Sequence, residues 1–255
     1  MKQYFLAERL KYRHTSMNVI TVMMPLITVL LAAWLTHTFF AVDSYNWWYM
    51  GLYPGYIGIL CSMIGGKDQR KKNHTIWSLP CSMGKIWDAK ILVGAVISGI
   101  SVLCVVLLTV LIGKGMEWAF HMEYIVSPSI GMQILAGIVM WMTTLWQIPF
   151  CLILSQKMRT FLMLVIHVGF YTIISVIVSL KSWFALFPGA ITARLMCPIL
   201  GVLPNGLILQ PGQMTYSPEL AGMDNLLIGI PAALIWFFLF WWGSRTWFER
   251  QVNSR

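Results

Sequence analysis

Six apolar stretches, each long enough to cross a bilayer, occupy most of the chain. They lie at about residues 17–40, 47–65, 91–113, 129–155, 161–180 and 225–243. A bilayer's hydrocarbon core takes about 20 apolar residues of helix to cross. Inside lipid each backbone N–H and C=O must bond within its own segment, so each stretch is read as a helix. Hydrophobic residues make up 58% of the 255-residue chain and charged residues 11%, and mean hydropathy is +0.71. Little mass is left for a soluble domain. The fold expected is one all-α membrane domain over 1–255 with six transmembrane helices. The second stretch holds Gly51, Pro54, Gly55 and Gly58, so a kinked or partly opened helix is expected there.

Basic residues set the orientation. An N-terminal arm over 1–16 carries Lys2, Arg9, Lys11 and Arg13. The loop over 67–90 carries Lys67, Arg70, Lys71, Lys72, Lys85 and Lys90, the turn after the fourth stretch Lys157 and Arg159, and the C-terminus Arg245, Arg250 and Arg255. The other side has only Lys114, Lys181 and Arg194. Basic loops stay in the cytoplasm, which places both termini inside. The net charge of +9 therefore marks topology rather than nucleic-acid binding. No small-residue cleavage site follows the first stretch, which is read as retained.

The polar residues at membrane depth exclude several classes. All nine acids fall outside the apolar stretches, whereas an ion-driven carrier needs ionisable groups at depth. His167, in a run of Leu, Val and Phe, is read as a neutral imidazole bonded to a neighbouring helix. No paired Glu, HExxH, GxSG or GxxxxGK[ST] pattern occurs at that depth, so no catalytic residue is assigned. The five cysteines show no CxxC spacing, and neither a metal site nor a disulfide framework is expected. Any ATP would be hydrolysed elsewhere; a structural or channel subunit without ATP coupling is the competing class.

The loop over 67–90 is the most informative polar segment. Its first half is basic. In its second half Ile76, Leu79, Met83 and Ile86 fall at spacings of three and four, one face of a helix. Pro80 divides it, and Ser82 can cap the second piece, which runs on into the third stretch. Trp77 and Trp87 add apolar area. Such a loop either lies on the membrane or docks a protein.

The run Leu79-Pro80-Cys81-Ser82, followed by Lys85-Ile86-Trp87 and Ala89-Lys90, resembles the first cytoplasmic loop of type-2 ABC exporter permeases. Cys81 and Gly84 depart from that pattern, where an aliphatic and a larger or charged residue are expected. Asn46-Trp47-Trp48-Tyr49, with Pro54-Gly55 after it, is similar to the permeases that give self-immunity to lantibiotics, the MutE/EpiE family. The resemblance implies that the loop is a coupling helix docking a dimer of cytoplasmic ATP-binding subunits through Ile76, Trp77, Leu79, Pro80, Ser82, Met83, Ile86 and Trp87. ATP and Mg would sit on that partner, and this chain would bind no cofactor. It further implies an interfacial elbow helix in the arm, a second six-span permease, related but different, and a place in a bacterial plasma membrane.

The segment 181–224 is rich in Pro and Gly yet apolar. An irregular apolar segment must be covered by protein or lie at the interface, and the stretch resembles the re-entrant helices of type-2 permeases. Trp47, Trp48 and Tyr49 are read as belt anchors or as the entrance for a substrate, with Glu117, Glu123, Glu219 and Asp224 as an acidic rim for a cationic peptide. The function expected is export of a lantibiotic from the membrane; the alternative is another amphipathic cargo such as bacitracin, a drug or a lipid.

Overall fold

The polarity of the helices is inverted: apolar stripes face outward and hydroxyls face inward. The structure is a computed structural model that describes residues 1–69 and 81–253, with side chains to Gln251. Among the described residues the helices are α1 (Lys2–Leu10), α2 (Met17–Thr36), α3 (Phe40–Trp47), α4 (Tyr53–Gln69), α5 (Met83–Phe120), α6 (Ile130–Thr144), α7 (Gln147–Lys157), α8 (Thr160–Ser179), α9 (Pro188–Leu200) and α10 (Asn225–Asn253). On α5, Val96, Ile100, Leu103, Leu107 and Leu111 form an exposed stripe, while Ser98, Ser101 and Thr109 are buried. Several of the inward hydroxyls return their protons to the preceding turn, as Thr21 Oγ1 does to Met17 O (2.8 Å) and Thr144 Oγ1 to Met140 O (2.7 Å). That satisfies them without water.

Among the described residues four helical stretches are long and apolar enough to cross a bilayer: Met17–Gln69, Met83–Phe120, Thr160–Ser179 and Asn225–Gln251. The α6–α7 pair, bent by 43°, makes a fifth when taken as one span. The first stretch reverses on itself. His37 adopts φ +35°, and a 3-10 turn over His37–Phe39 follows. The Tyr12 hydroxyl donates to Ile64 O (2.8 Å) and the Tyr56 hydroxyl to Thr21 Oγ1 (3.2 Å). These antiparallel pairings are centred on the His37 turn, so α2 and the α3–α4 run form a helical hairpin.

Prolines mark the two breaks. Pro54 has no N–H to give the carbonyl of Met50, four residues back. The chain widens to a π-turn over Trp48–Leu52, and the freed Met50 carbonyl accepts from Thr172 Oγ1 of α8 (3.1 Å). Pro149 deprives the Leu145 carbonyl in the same way. That carbonyl accepts from Ile148 N instead (3.1 Å), and the bend between α6 and α7 sits there.

Two stretches run beyond their apolar windows. With 38 residues, α5 is about 57 Å long at 1.5 Å per residue, well beyond the roughly 30 Å hydrocarbon core. The last helix, α10, continues to Asn253 rather than ending near 243.

The 181–224 segment turns into the bundle. A 3-10 turn over Phe184–Leu186 leads to Pro188, which opens α9. Almost all of α9 is buried, and Thr192 Oγ1 lies 2.9 Å from Thr143 Oγ1 of α6. Gly201 ends α9 in the left-handed conformation (φ +70°) that spares a glycine the Cβ clash.

Arg194, counted from sequence among the three bases of the outer side, lies inside the fold. Its Nε donates to Asn225 Oδ1 (3.1 Å), NH1 to Ser179 O (3.2 Å) and NH2 to Glu219 O (3.1 Å), and its guanidinium lies 5.1 Å from the Phe184 ring centroid. One side chain thus ties the end of α8, the start of α10 and the turn before it. Arg194→Met should cost roughly 2–4 kcal/mol, because two buried acceptors, Asn225 Oδ1 and Ser179 O, lose a donor. Thermal unfolding of the detergent-solubilised protein checks this; an unchanged midpoint would mean that packing alone holds the segment.

Candidate functional site

Both chain termini converge on the stretch Met83–Lys90 that opens α5. From one side comes α1. The buried Lys90 ammonium meets Asp68 Oδ2, at the end of α4, and Glu8 Oε2 of α1 (3.2 Å). Lys11 Nζ bridges the same two acids, at 2.6 Å from Glu8 Oε1 and 3.1 Å from Asp68 Oδ2. The Tyr12 hydroxyl lies 3.4 Å from Glu8 Oε2, and Lys67 Nζ donates to Lys11 O. Lys90, Glu8 and Asp68 are buried, and Lys11, with 32% of its side chain exposed, closes the cluster on its solvent side. Burial lowers the pKa of Lys11, but its bonds and charges to Glu8 and Asp68 outweigh this and hold it above the ordinary value. Burial, then the Glu8 and Asp68 charges, push the Tyr12 phenol well above its own. The phenol therefore stays a proton donor, as its bond to Ile64 O needs.

From the other side comes α10. Trp87 is fully buried; its Nε1 donates to Ser244 Oγ (2.9 Å), and its ring stacks on Phe248 at 4.5 Å. Asp88 Oδ1 accepts from Trp241 Nε1 (2.8 Å), and Asp88 Oδ2 lies 3.2 Å from Arg245 NH1. Gly84 is where α10 comes closest. A Cβ there would lie 2.6 Å from Arg245 Nε and closer still to Glu249 Oε1. Both are the ends of flexible side chains, which a larger residue at position 84 would displace.

The geometry redistributes the residues singled out in sequence. Ile76, Trp77, Leu79 and Pro80 lie outside the described residues. Ser82 is exposed and takes the N-cap position of α5 with an extended backbone but no side-chain bond. Met83 is half-buried. Ile86 and Trp87 are buried against this chain's own helices. Lys90, counted in sequence as one more basic loop residue, is an internal ion-pair member.

Trp48 and Tyr49 lie inside the bundle. Both are fully buried, because the His37 turn folds α3 into the bundle. The Trp48 ring packs against Tyr53 (5.6 Å) and Tyr56 (5.7 Å). Trp47 is half-buried. The rings that remain outward at that end are Trp118, Phe120 and Trp183. Glu117 pairs with Lys114 at 2.8 Å, Glu123 and Asp224 are exposed, and Glu219 Oε2 lies 3.8 Å from Arg194 NH2. The four acids sit on two separate connections, 117–123 and 219–224. His167 Nε2 meets Gln147 Oε1 of α7 at 3.1 Å, the neighbouring-helix bond expected for it.

The ion cluster itself was missed in sequence. A signal exists: four acids, Glu8, Asp68, Asp88 and Glu249, stand among the basic residues at the end where the termini meet. Each is ion-paired in the structure.

Over residues 4–175, two thirds of its length, the chain matches the family described as ABC-2 family transporter protein. The chain belongs to that family. It is the membrane permease of an ABC exporter, a transport subunit whose family implies an ATP-binding partner. The family match contains the cluster, the 67–90 loop and the helices on both sides of it. No curated protein and no solved structure matches the chain.

Lys90→Met leaves Glu8 and Asp68 facing Lys11 alone and should cost about 3–5 kcal/mol. Adding Asp68→Asn should recover part of that loss. Unfolding midpoints of the two variants check the coupling; strictly additive losses would mean that Lys90 and Asp68 act independently.

Proposed function

We propose that this permease expels a lantibiotic from the membrane and so gives its host immunity or resistance. The carrying observation is the Asn46-Trp47-Trp48-Tyr49 and Pro54-Gly55 pattern, which resembles that of lantibiotic-immunity permeases. In this chain its role is structural: the tryptophan and tyrosine fill the hairpin core beside a proline-widened π-turn. The family match supports the transporter class.

In this reading the polypeptide crosses the plasma membrane of a bacterium six times. The α2 and α3–α4 arms of the hairpin are two crossings, α6–α7 is one bent crossing, and both termini are cytoplasmic. The inward-turning 181–200 stretch is re-entrant from outside, and α1 is an interfacial elbow helix. The 67–90 loop docks a dimer of ATP-binding subunits that carry ATP and Mg. Trp77 and Met83 contact that dimer, and Ile86 and Trp87 support them from behind. A second six-span permease, related but different, completes the path, since one small bundle does not enclose a peptide. Glu117, Glu123, Glu219 and Asp224 form the outer acidic rim that draws in a cationic peptide, a weak and salt-screened attraction.

Two measurements test this. A sensitive cell expressing the full transporter should survive a lantibiotic challenge and gain nothing against bacitracin; protection from bacitracin, a drug or neither would replace the cargo assignment. Trp77→Ala with Met83→Ala should abolish that protection with the permease still present in the membrane at its normal level. Full protection would place the coupling contact elsewhere.

A further inference from the structure

A cavity of about 480 Å³ lies between α1, the start of α2 and the Val93–Ile100 stretch of α5. It sits on the side of α1 away from the ion cluster. One wall holds Leu6, Arg9 and Leu10 of α1 and Arg13 of the turn that extends it. The floor is aliphatic, with Val93, Val96 and Ile100 of α5. Val96 and Ile100 belong to the exposed stripe of α5, so this floor continues the outward apolar surface of the bundle.

The charges of α1 are sorted by face. Its acid, Glu8, points inward and is committed to Lys90 and Lys11. Arg9 and Arg13 are exposed, and neither has an acidic partner among the described residues. The cavity therefore has a cationic mouth beside an aliphatic floor. Guanidinium groups bind phosphate oxygens in bidentate fashion, and each basic side chain near a membrane surface strengthens binding to anionic lipid. A soluble anion would leave the floor unused, and a neutral acyl chain would leave the two arginines unused.

We propose that this cavity holds one anionic phospholipid, its phosphate between Arg9 and Arg13 and an acyl chain along Val96 and Ile100. The lipid would fill the angle between the arm and the bundle, behind the ion cluster. This requires that α2 and α5 lie in a bilayer and is independent of the exported cargo.

The test uses the full chain in phosphatidylcholine nanodiscs doped with spin-labelled phosphatidylglycerol or spin-labelled phosphatidylcholine. The motionally restricted fraction is read by electron paramagnetic resonance. Phosphatidylglycerol should be held preferentially. Arg9→Gln with Arg13→Gln should weaken that preference about tenfold, to the phosphatidylcholine level, while Arg9→Lys with Arg13→Lys keeps most of it. Val96→Trp, which fills the floor and leaves the arginines, should remove the restricted phosphatidylglycerol and serves as the second reading should the glutamine variant not fold. Millimolar glycerol phosphate should displace none of it. Equal restriction of the two lipids, no effect of either variant, or displacement by glycerol phosphate would overturn the proposal, the last by marking a free-phosphate site.

Discussion

The buried Glu8–Lys90–Asp68–Lys11 cluster is the interaction on which the arrangement of this permease depends. A buried ion pair gains little net stability over a well-packed apolar pair, so its significance is positional. Three segments distant in sequence must each deliver a charge to one point. If any is withdrawn, a bare charge is left without water. The cluster therefore fixes α1 against the end of α4 and the beginning of α5, and these are the two helices that flank the 67–90 loop. On the opposite face, Trp87, Asp88 and Gly84 seat α10 through Ser244, Arg245 and Phe248. The foot of the loop is gripped from two sides by the two ends of the chain.

This arrangement suits a subunit that has no engine of its own. A push delivered to a loop is lost if the loop hinges at its base, and is passed on if the base is rigid. At 38 residues, α5 is one unbroken helix from that base to the far end of the bundle. The segments able to yield lie elsewhere, at the π-turn ahead of Pro54 and the bend ahead of Pro149. Each proline frees a carbonyl, and each freed carbonyl has found another donor, Thr172 Oγ1 in one case and Ile148 N in the other. These substitute bonds satisfy the backbone without restoring the regular helix, which leaves two breaks in an otherwise stiff bundle.

Much of the fold was legible in the sequence, because the apolar runs and the prolines act locally. The kink in the second stretch follows from Pro54, and the bond from His167 to a neighbouring helix follows from a polar ring in an apolar run. The 38-residue length of α5 was not legible, since Gly113, Lys114 and Gly115 look like a helix end but continue it. The burial of Trp87 was not legible for a related reason. A large ring beside a polar loop suggests a docking face, and the residues that cover it, Ser244 and Phe248, are far along the chain. The cluster is the extreme case: Lys90 meets partners 22 and 82 residues away, and no periodicity connects them. What the sequence did carry was an oddity, four acids among many bases, whose meaning appears only when their partners are in view.

The account rests on the arm and the foot of the loop moving as one body. Spin labels at Gln3 and Lys85, both exposed, would report their separation by pulsed electron resonance in the assembled transporter, nucleotide-free and trapped during ATP turnover. One narrow distance distribution common to both states is the predicted result. A shift or splitting of that distribution on trapping would show the cluster opening during the cycle and would contradict the account.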